Sequence, residues 1–109
     1  MPRGGKEYTY YPTEKDRIIS VMHLLKGIMQ DFTVQYETLI KGRWVEVTRI
    51  DTCHGNAHRH KFTAQGKEII EDFFCNNYNE GFTRAKEFIT EEHGQLRNNY
   101  LTQASKRRL

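Results

Sequence analysis

From Phe32 to Ile40 the chain alternates residue by residue: Phe32, Val34, Tyr36, Thr38 and Ile40 are separated by Thr33, Gln35, Glu37 and Leu39. A period of two is the signature of a strand with one buried face, and it excludes a helix over this stretch. Lys41-Gly42-Arg43 then supplies a turn, and WVEVTRI resumes with the β-branched and aromatic residues that suit a pleated surface. The pair predicts a hairpin. A two-residue loop of Lys41 and Gly42 would set Glu37 against Glu46 and Phe32 against Asp51. A three-residue loop instead pairs Ile40 with Trp44, Tyr36 with Thr48 and Val34 with Ile50, and that register gives one coherent apolar face.

Around this hairpin the remaining segments are read by their periods. Residues 1–12, with Pro2, Gly4, Gly5 and Pro12, form an extended arm anchored by Tyr8, Tyr10 and Tyr11. Thr13 followed by Glu14 and Asp16 resembles a helix N-cap with an acidic first turn. Ile18, Val21, Met22, Leu25, Ile28 and Met29 follow at spacings of three and four, so a helix is expected over about 14–29. A third strand places His58, His60 and Phe62 on one side and Arg59, Lys61 and Thr63 on the other. Ala64-Gln65-Gly66 turns into KEIIEDFF, residues 67–74, where Ile69, Ile70, Phe73 and Phe74 fit a helix face as well as a strand buried on both sides; its shortness and the Asn76-Asn77 stop favour a fourth strand.

Tyr78, Phe82, Ala85, Ile89, Leu96 and Tyr100 lie near one helical face, with Gly94 marking a kink or an end. The expected fold class is α+β: an N-terminal helix, a mostly antiparallel four-stranded meander, and a long C-terminal helix on one sheet face. The expected organisation is an arm at 1–12, a single domain at 13–103 and a basic tail at 104–109. Within this core Trp44 is expected as an anchor.

Composition limits function more than it identifies it. With 17 basic and 14 acidic side chains, the net charge of +3 permits a polyanionic partner without requiring one. No apolar run approaches the roughly 18 to 20 residues that cross a bilayer, and the start MPRGGKEYTYYP has no secretory pattern. Cys53 and Cys75 are therefore expected to be reduced, in a cytoplasmic protein. There is no glycine-rich phosphate loop, no G-x-S-x-G and no paired cysteine motif.

The chemistry concentrates in RIDTCHGNAHRH, residues 49–60. Three readings of it stand side by side. His54, His58 and His60, with Asp51 as ligand or orienting partner, have a spacing that allows a divalent metal such as zinc, because alternate strand residues lie about 6.8 Å apart on one face. Alternatively, with no cofactor, His54, His58 and His60 act as acid, base or phosphate-binding groups on RNA. Arg59 then stabilises developing charge, and Arg49 and Lys61 contact phosphate. Strand alternation sends Arg59 and Lys61 away from His58 and His60, so the groups cannot all surround one phosphate. In the third reading the segment is structural: Asp51 and Thr52 bond their own turn, while Gly55 and Asn56 accept positive φ.

The order KGRWVEVTRID, then CHGNAHRH, then an acidic-apolar segment and a helix resembles small prokaryotic proteins of the TumE-like group, some of them toxins of toxin-antitoxin modules. The resemblance covers about residues 31–92. Asp51, Gly55, His58 and His60 match its Tyr-Asp, His-Gly and His-x-His pattern, and Trp44 matches an early aromatic; Ile50 stands where the pattern has tyrosine. The resemblance implies a cytoplasmic antitoxin partner with a DNA-binding helix-turn-helix, and RNA as target. The alternative expectation is a non-catalytic protein-interaction module that uses the open sheet edge or the basic tail, and a three-histidine metal-binding protein is the third.

Overall fold

The computed structural model describes residues 4–53 and 55–107. Six strands, β1 (Gly4–Thr13), β2 (Asp16–Leu25), β3 (Ile28–Ile40), β4 (Arg43–Cys53), β5 (Asn56–Phe62) and β6 (Glu68–Asp72), form one antiparallel sheet in chain order. A single helix, α1 (Tyr78–Arg107), follows and lies mainly over β3. The α+β class stands. The N-terminal helix and the count of four strands do not, because residues 4–25 are two further strands.

The reasons for that difference are local. Thr13 Oγ1 accepts the Lys15 N–H (3.0 Å) and donates to Asp16 Oδ2 (2.6 Å), so the residues that resembled a helix cap close the β1–β2 turn instead. In β2, Ile18 is buried under α1, with Ser20 and Met22 on the same side, while Ile19 and Val21 lie on the opposite side. A strand apolar on both faces imitates the three-and-four spacing of a helix. Lys26 and Gly27 (φ 52° and 79°) then form a tight hairpin turn, with Leu25 paired to Ile28. Residues 4–12, expected as part of an arm, and Thr13, expected as a helix cap, form β1 and pair with β2 from Gly4 onward.

The β3–β4 hairpin uses the same turn chemistry, Lys41 and Gly42 at φ 50° and 77°. The loop is therefore two residues, Ile40 faces Arg43, and Glu37 does face Glu46. A bulge at Val47 inserts one residue in β4 and restores the expected pairs Tyr36–Thr48 and Val34–Ile50. One extra residue in the strand thus does what the third loop residue was expected to do.

The core lies between α1 and the β2–β4 face: Ile18, Phe32, Val34, Tyr36, Val47 and Ile50 meet Phe82, Ala85 and Ile89. Phe32 packs edge-on to the partly buried Tyr78 and to Phe82, and a fully buried side chain such as Phe32 contributes about 1.5–3 kcal/mol. Helix α1 begins on an Asn77 cap, whose Oδ1 accepts the Glu80 N–H (2.8 Å), while Glu80 reaches back to the Asn76 N–H (3.1 Å). It runs through Gly94 without ending.

The two helical glycines have opposite roles. A Cβ at Gly81 would stand 2.8 Å from Cys75 Sγ and 3.3 Å from Phe32 Cε2, whereas a Cβ at Gly94 meets nothing within 4 Å. In thermal or urea unfolding, Gly94→Ala is expected to stabilise by about 1 kcal/mol, from helix propensity. Gly81→Ala is expected to destabilise by about 1–2 kcal/mol, because overpacking outweighs the same propensity gain. Equal shifts in both variants would contradict this packing.

Candidate functional site

The face of the sheet turned away from α1 carries the histidines. His58 lies between Asp51 and Asp72 in the cross-strand rows, and His60 between Arg49 and Ile70. His60 Nε2 is 3.1 Å from Asp51 Oδ1 and its Nδ1 is 2.7 Å from Glu68 Oε1. His58 Nε2 is 3.5 Å from Asp72 Oδ1. Asp51 Oδ2 accepts from Arg49 Nε (3.0 Å), and Arg49 Nη1 reaches Glu46 Oε2 (3.2 Å). Phe62 stacks near His60 and lies under the Arg49 guanidinium. A continuous chain of charges therefore runs from β4 across β5 to β6.

The same face continues toward β2. Arg17 bonds Glu37 (2.5 Å from Nη2) and lies 4.2 Å over the Trp44 ring, which Tyr11 meets edge-on. Trp44 thus sits on the polar face, away from the core. Burial pushes the Glu46 carboxyl up, with the facing Glu37 adding to it and Arg49 opposing. The like-charged pair at the hairpin end is accommodated because Arg17 serves Glu37 and Arg49 serves Glu46.

Arg59 and Lys61 point to the helix side. Arg59 Nε donates to Thr48 Oγ1 (3.2 Å) and its guanidinium covers Phe88 (4.7 Å), where burial pulls its pKa down and Glu71 opposes. Lys61 Nζ pairs with Glu71 Oε1 at 2.7 Å. Of the sequence-nominated groups, the structure therefore gathers Asp51, His58, His60 and Arg49, and separates Arg59 and Lys61. His54 lies outside the described residues. Gly55 adopts φ 84°, while Asn56 begins β5, paired with Cys53.

This geometry has chemical consequences. A ring nitrogen that donates to a carboxylate has no lone pair for a metal or a substrate proton, and His60 has a carboxylate at each nitrogen. Both oxygens of Asp51 are likewise engaged. Among the described residues, no group of three or more His, Cys, Asp or Glu is gathered to hold a metal. Glu37 pairs with Arg17, Glu46 and Asp51 with Arg49, Glu68 with His60 and Asp72 with His58, so the charged groups of this face are largely paired with one another.

A second polar cluster was not legible from sequence. Asp16, 4% exposed, accepts from Tyr36 Oη (2.6 Å) and Thr38 Oγ1 (2.9 Å) through Oδ1 and from Thr13 through Oδ2. Arg97 of α1 donates to Thr38 Oγ1 and to the Leu39 carbonyl (3.0 Å), and His93 meets the Tyr36 ring edge-on. The sequence suggests Asp16 as a helix first-turn acid, but it closes the β1–β2 turn with Thr13 and takes its other partners, Tyr36 and Thr38, from β3. No local pattern announces such a site.

A family model described as a domain of unknown function (DUF7718) matches residues 3–106. The chain belongs to the DUF7718 family. The match spans the whole sheet and nearly all of α1, so the six strands and the helix form one DUF7718 unit. No curated protein and no solved structure matches. The TumE-like resemblance, carried by Asp51, Gly55, His58, His60 and Trp44, has no support from these comparisons. No helix among the described residues of this DUF7718 chain is long and apolar enough to cross a membrane.

Proposed function

We propose that this protein is a non-catalytic interaction module that takes up an extended segment of a different protein at the free edge of β6. The observation that carries this reading is the edge itself. All five residues of β6 are exposed, Ile69 at 45% and Ile70 at 57%, and Phe74 just beyond is 80% exposed. Edge strands are normally guarded by outward charge or proline. Here Glu68, Glu71 and Asp72 turn back to His60, Lys61 and His58, so they fasten β6 to β5 and leave its outer side unguarded.

A partner strand would pair with the outward N–H and C=O groups of β6 and cover the isoleucines. A cleft of about 420 Å³ between Asp72, Phe74, Cys75 and Tyr78 lies at the end of the strand, where an anchoring side chain fits. A second copy is a poor occupant. Antiparallel self-pairing centred on Ile70 sets Glu68 against Asp72 and Ile69 against Glu71. The RNA-acting reading has less support, because it needs free imidazole nitrogens and free guanidiniums. His60 and Arg49 are held by carboxylates, and Arg59 lies under α1.

Affinity capture from the source cells tests this with the Ile69→Lys/Ile70→Lys double variant as comparison. One protein retained by the wild type is expected to be lost by at least about tenfold on the double variant, since both isoleucines would be covered. Added total RNA is expected to stay intact. Equal retention by both forms, or RNA cleavage that His60→Ala abolishes, would overturn the reading.

A further inference from the structure

The opposite edge of the sheet carries a different feature. Among the described residues β1 pairs only with β2, so along its length every second residue turns its backbone polar groups outward. Because α1 lies mainly over β3, it leaves a groove of about 390 Å³ between itself and β1. Tyr8 and Tyr10 form one wall, 54% and 57% exposed, with Ile18 at the floor. Neither tyrosine hydroxyl has a hydrogen-bond partner among the described residues. The helix wall carries Glu87 and Glu91 one turn apart, both exposed and neither in an ion pair among the described residues, while the Lys86 ammonium sits 4.8 Å over the Phe82 ring.

We propose that the groove between β1 and α1 binds an extended polypeptide that adds to β1 as a further strand. Its alternate apolar side chains lie against Tyr8, Tyr10 and Ile18, and a Lys or Arg faces Glu87 and Glu91. The strand form follows from the edge: a peptide backbone is the ligand that satisfies a row of outward N–H and C=O groups, and a flanking helix supplies the pockets for every second side chain. The tyrosines suit an interface, being large, rigid and amphipathic. The charge follows from the helix wall. Its two unpaired carboxylates repel a nucleic acid and attract a basic segment. A second copy pairing through β1 would bring its own Glu87 and Glu91 to the same junction and leave four carboxylates without cations. This groove lies at the far edge from β6, so the two sites are separately testable.

The test is selection of a displayed library of random twelve-residue peptides on the intact protein, followed by amide chemical-shift mapping with the enriched peptides. Peptides alternating apolar residues with Lys or Arg are expected. They should perturb amides of Tyr8, Tyr10, Glu87 and Glu91, and bind about tenfold or more weakly to Glu87→Lys/Glu91→Lys, whose exposed positions leave the fold intact. A Tyr8→Ala/Tyr10→Ala variant should weaken them as well. Absence of an enriched family, shifts confined to other elements, unchanged affinity for the charge-reversed variant, or β1-mediated self-association in place of peptide binding would each overturn the proposal.

Discussion

Asp16→Ala is expected to destabilise the protein by about 3 kcal/mol or more, a larger loss than any other single polar truncation described above. The carboxylate is the common acceptor of the Thr13, Tyr36 and Thr38 hydroxyls, and removing it leaves the buried Tyr36 hydroxyl without an acceptor, while Thr38 keeps the Lys15 carbonyl (3.1 Å) and the Arg97 donor from α1. Asp16→Asn should cost less, because hydroxyls can rotate to accept from the amide. Urea midpoints at unchanged slope measure both. A loss below about 1 kcal/mol for the alanine variant would show that the cluster does not tie α1 to the β1–β2 turn.

The same residue sets a sign for the pH dependence. Burial alone would push the Asp16 carboxyl up, but the three hydroxyl donors and the charge of His93 outweigh it, so its pKa lies below the ordinary value. Burial and the carboxylate push the Tyr36 hydroxyl up, which keeps it a donor. A lowered folded-state pKa means that the unfolded chain binds the proton more readily. The stabilisation is then full above the unfolded value of about 3.9 and is lost as pH falls through the lowered one. Glu46 runs the other way, contributing below about 4.3 and losing its contribution as pH rises through its raised value. Asp16→Asn should therefore flatten the acid limb of the stability profile below about pH 4.

The parts of the fold that were legible had an unambiguous period. Phe32 to Ile40 alternates over nine positions with one face buried, and Tyr78 to Tyr100 keeps its apolar residues near one helical stripe, so a strand and a helix were legible there, although β3 starts earlier, at Ile28, and α1 continues through Gly94 to Arg107. The N-terminal third was not legible because Ile18, Ile19, Val21 and Met22 distribute over both faces of β2, and because a hydroxyl followed by acids serves a tight turn as well as a helix cap. The hairpin register illustrates a subtler limit. Tyr36–Thr48 and Val34–Ile50 were expected, but the extra residue sits in the bulge at Val47 and not in the loop, since Lys41 tolerates φ 50° beside Gly42.

The histidine segment was legible in its alternation and illegible in its partners. That His58 and His60 share a face follows from spacing, and so does the diversion of Arg59. That Glu68 closes on His60 depends on how β6 folds back, which residues 49–60 do not encode. The result changes the role of the ring. Held between Asp51 of β4 and Glu68 of β6, His60 links three strands across the polar face and fastens the edge strand on which the proposed interaction depends.

His60→Ala should consequently loosen β6 without unfolding the sheet. Hydrogen bonds to charged groups contribute about 1.5–3 kcal/mol, and the exposed edge strand has little other packing to replace them. Local opening of β6 is then expected to become roughly ten- to a hundredfold more frequent, while β3, covered by α1, keeps its protection. Amide hydrogen exchange in wild type and His60→Ala measures this directly. The structure predicts faster exchange at the β6 amides bonded to β5, with unchanged exchange in β3. Unchanged exchange in β6, together with loss of a metal-binding or RNA-cleaving activity in the variant, would contradict the account and return the histidine to a chemical role.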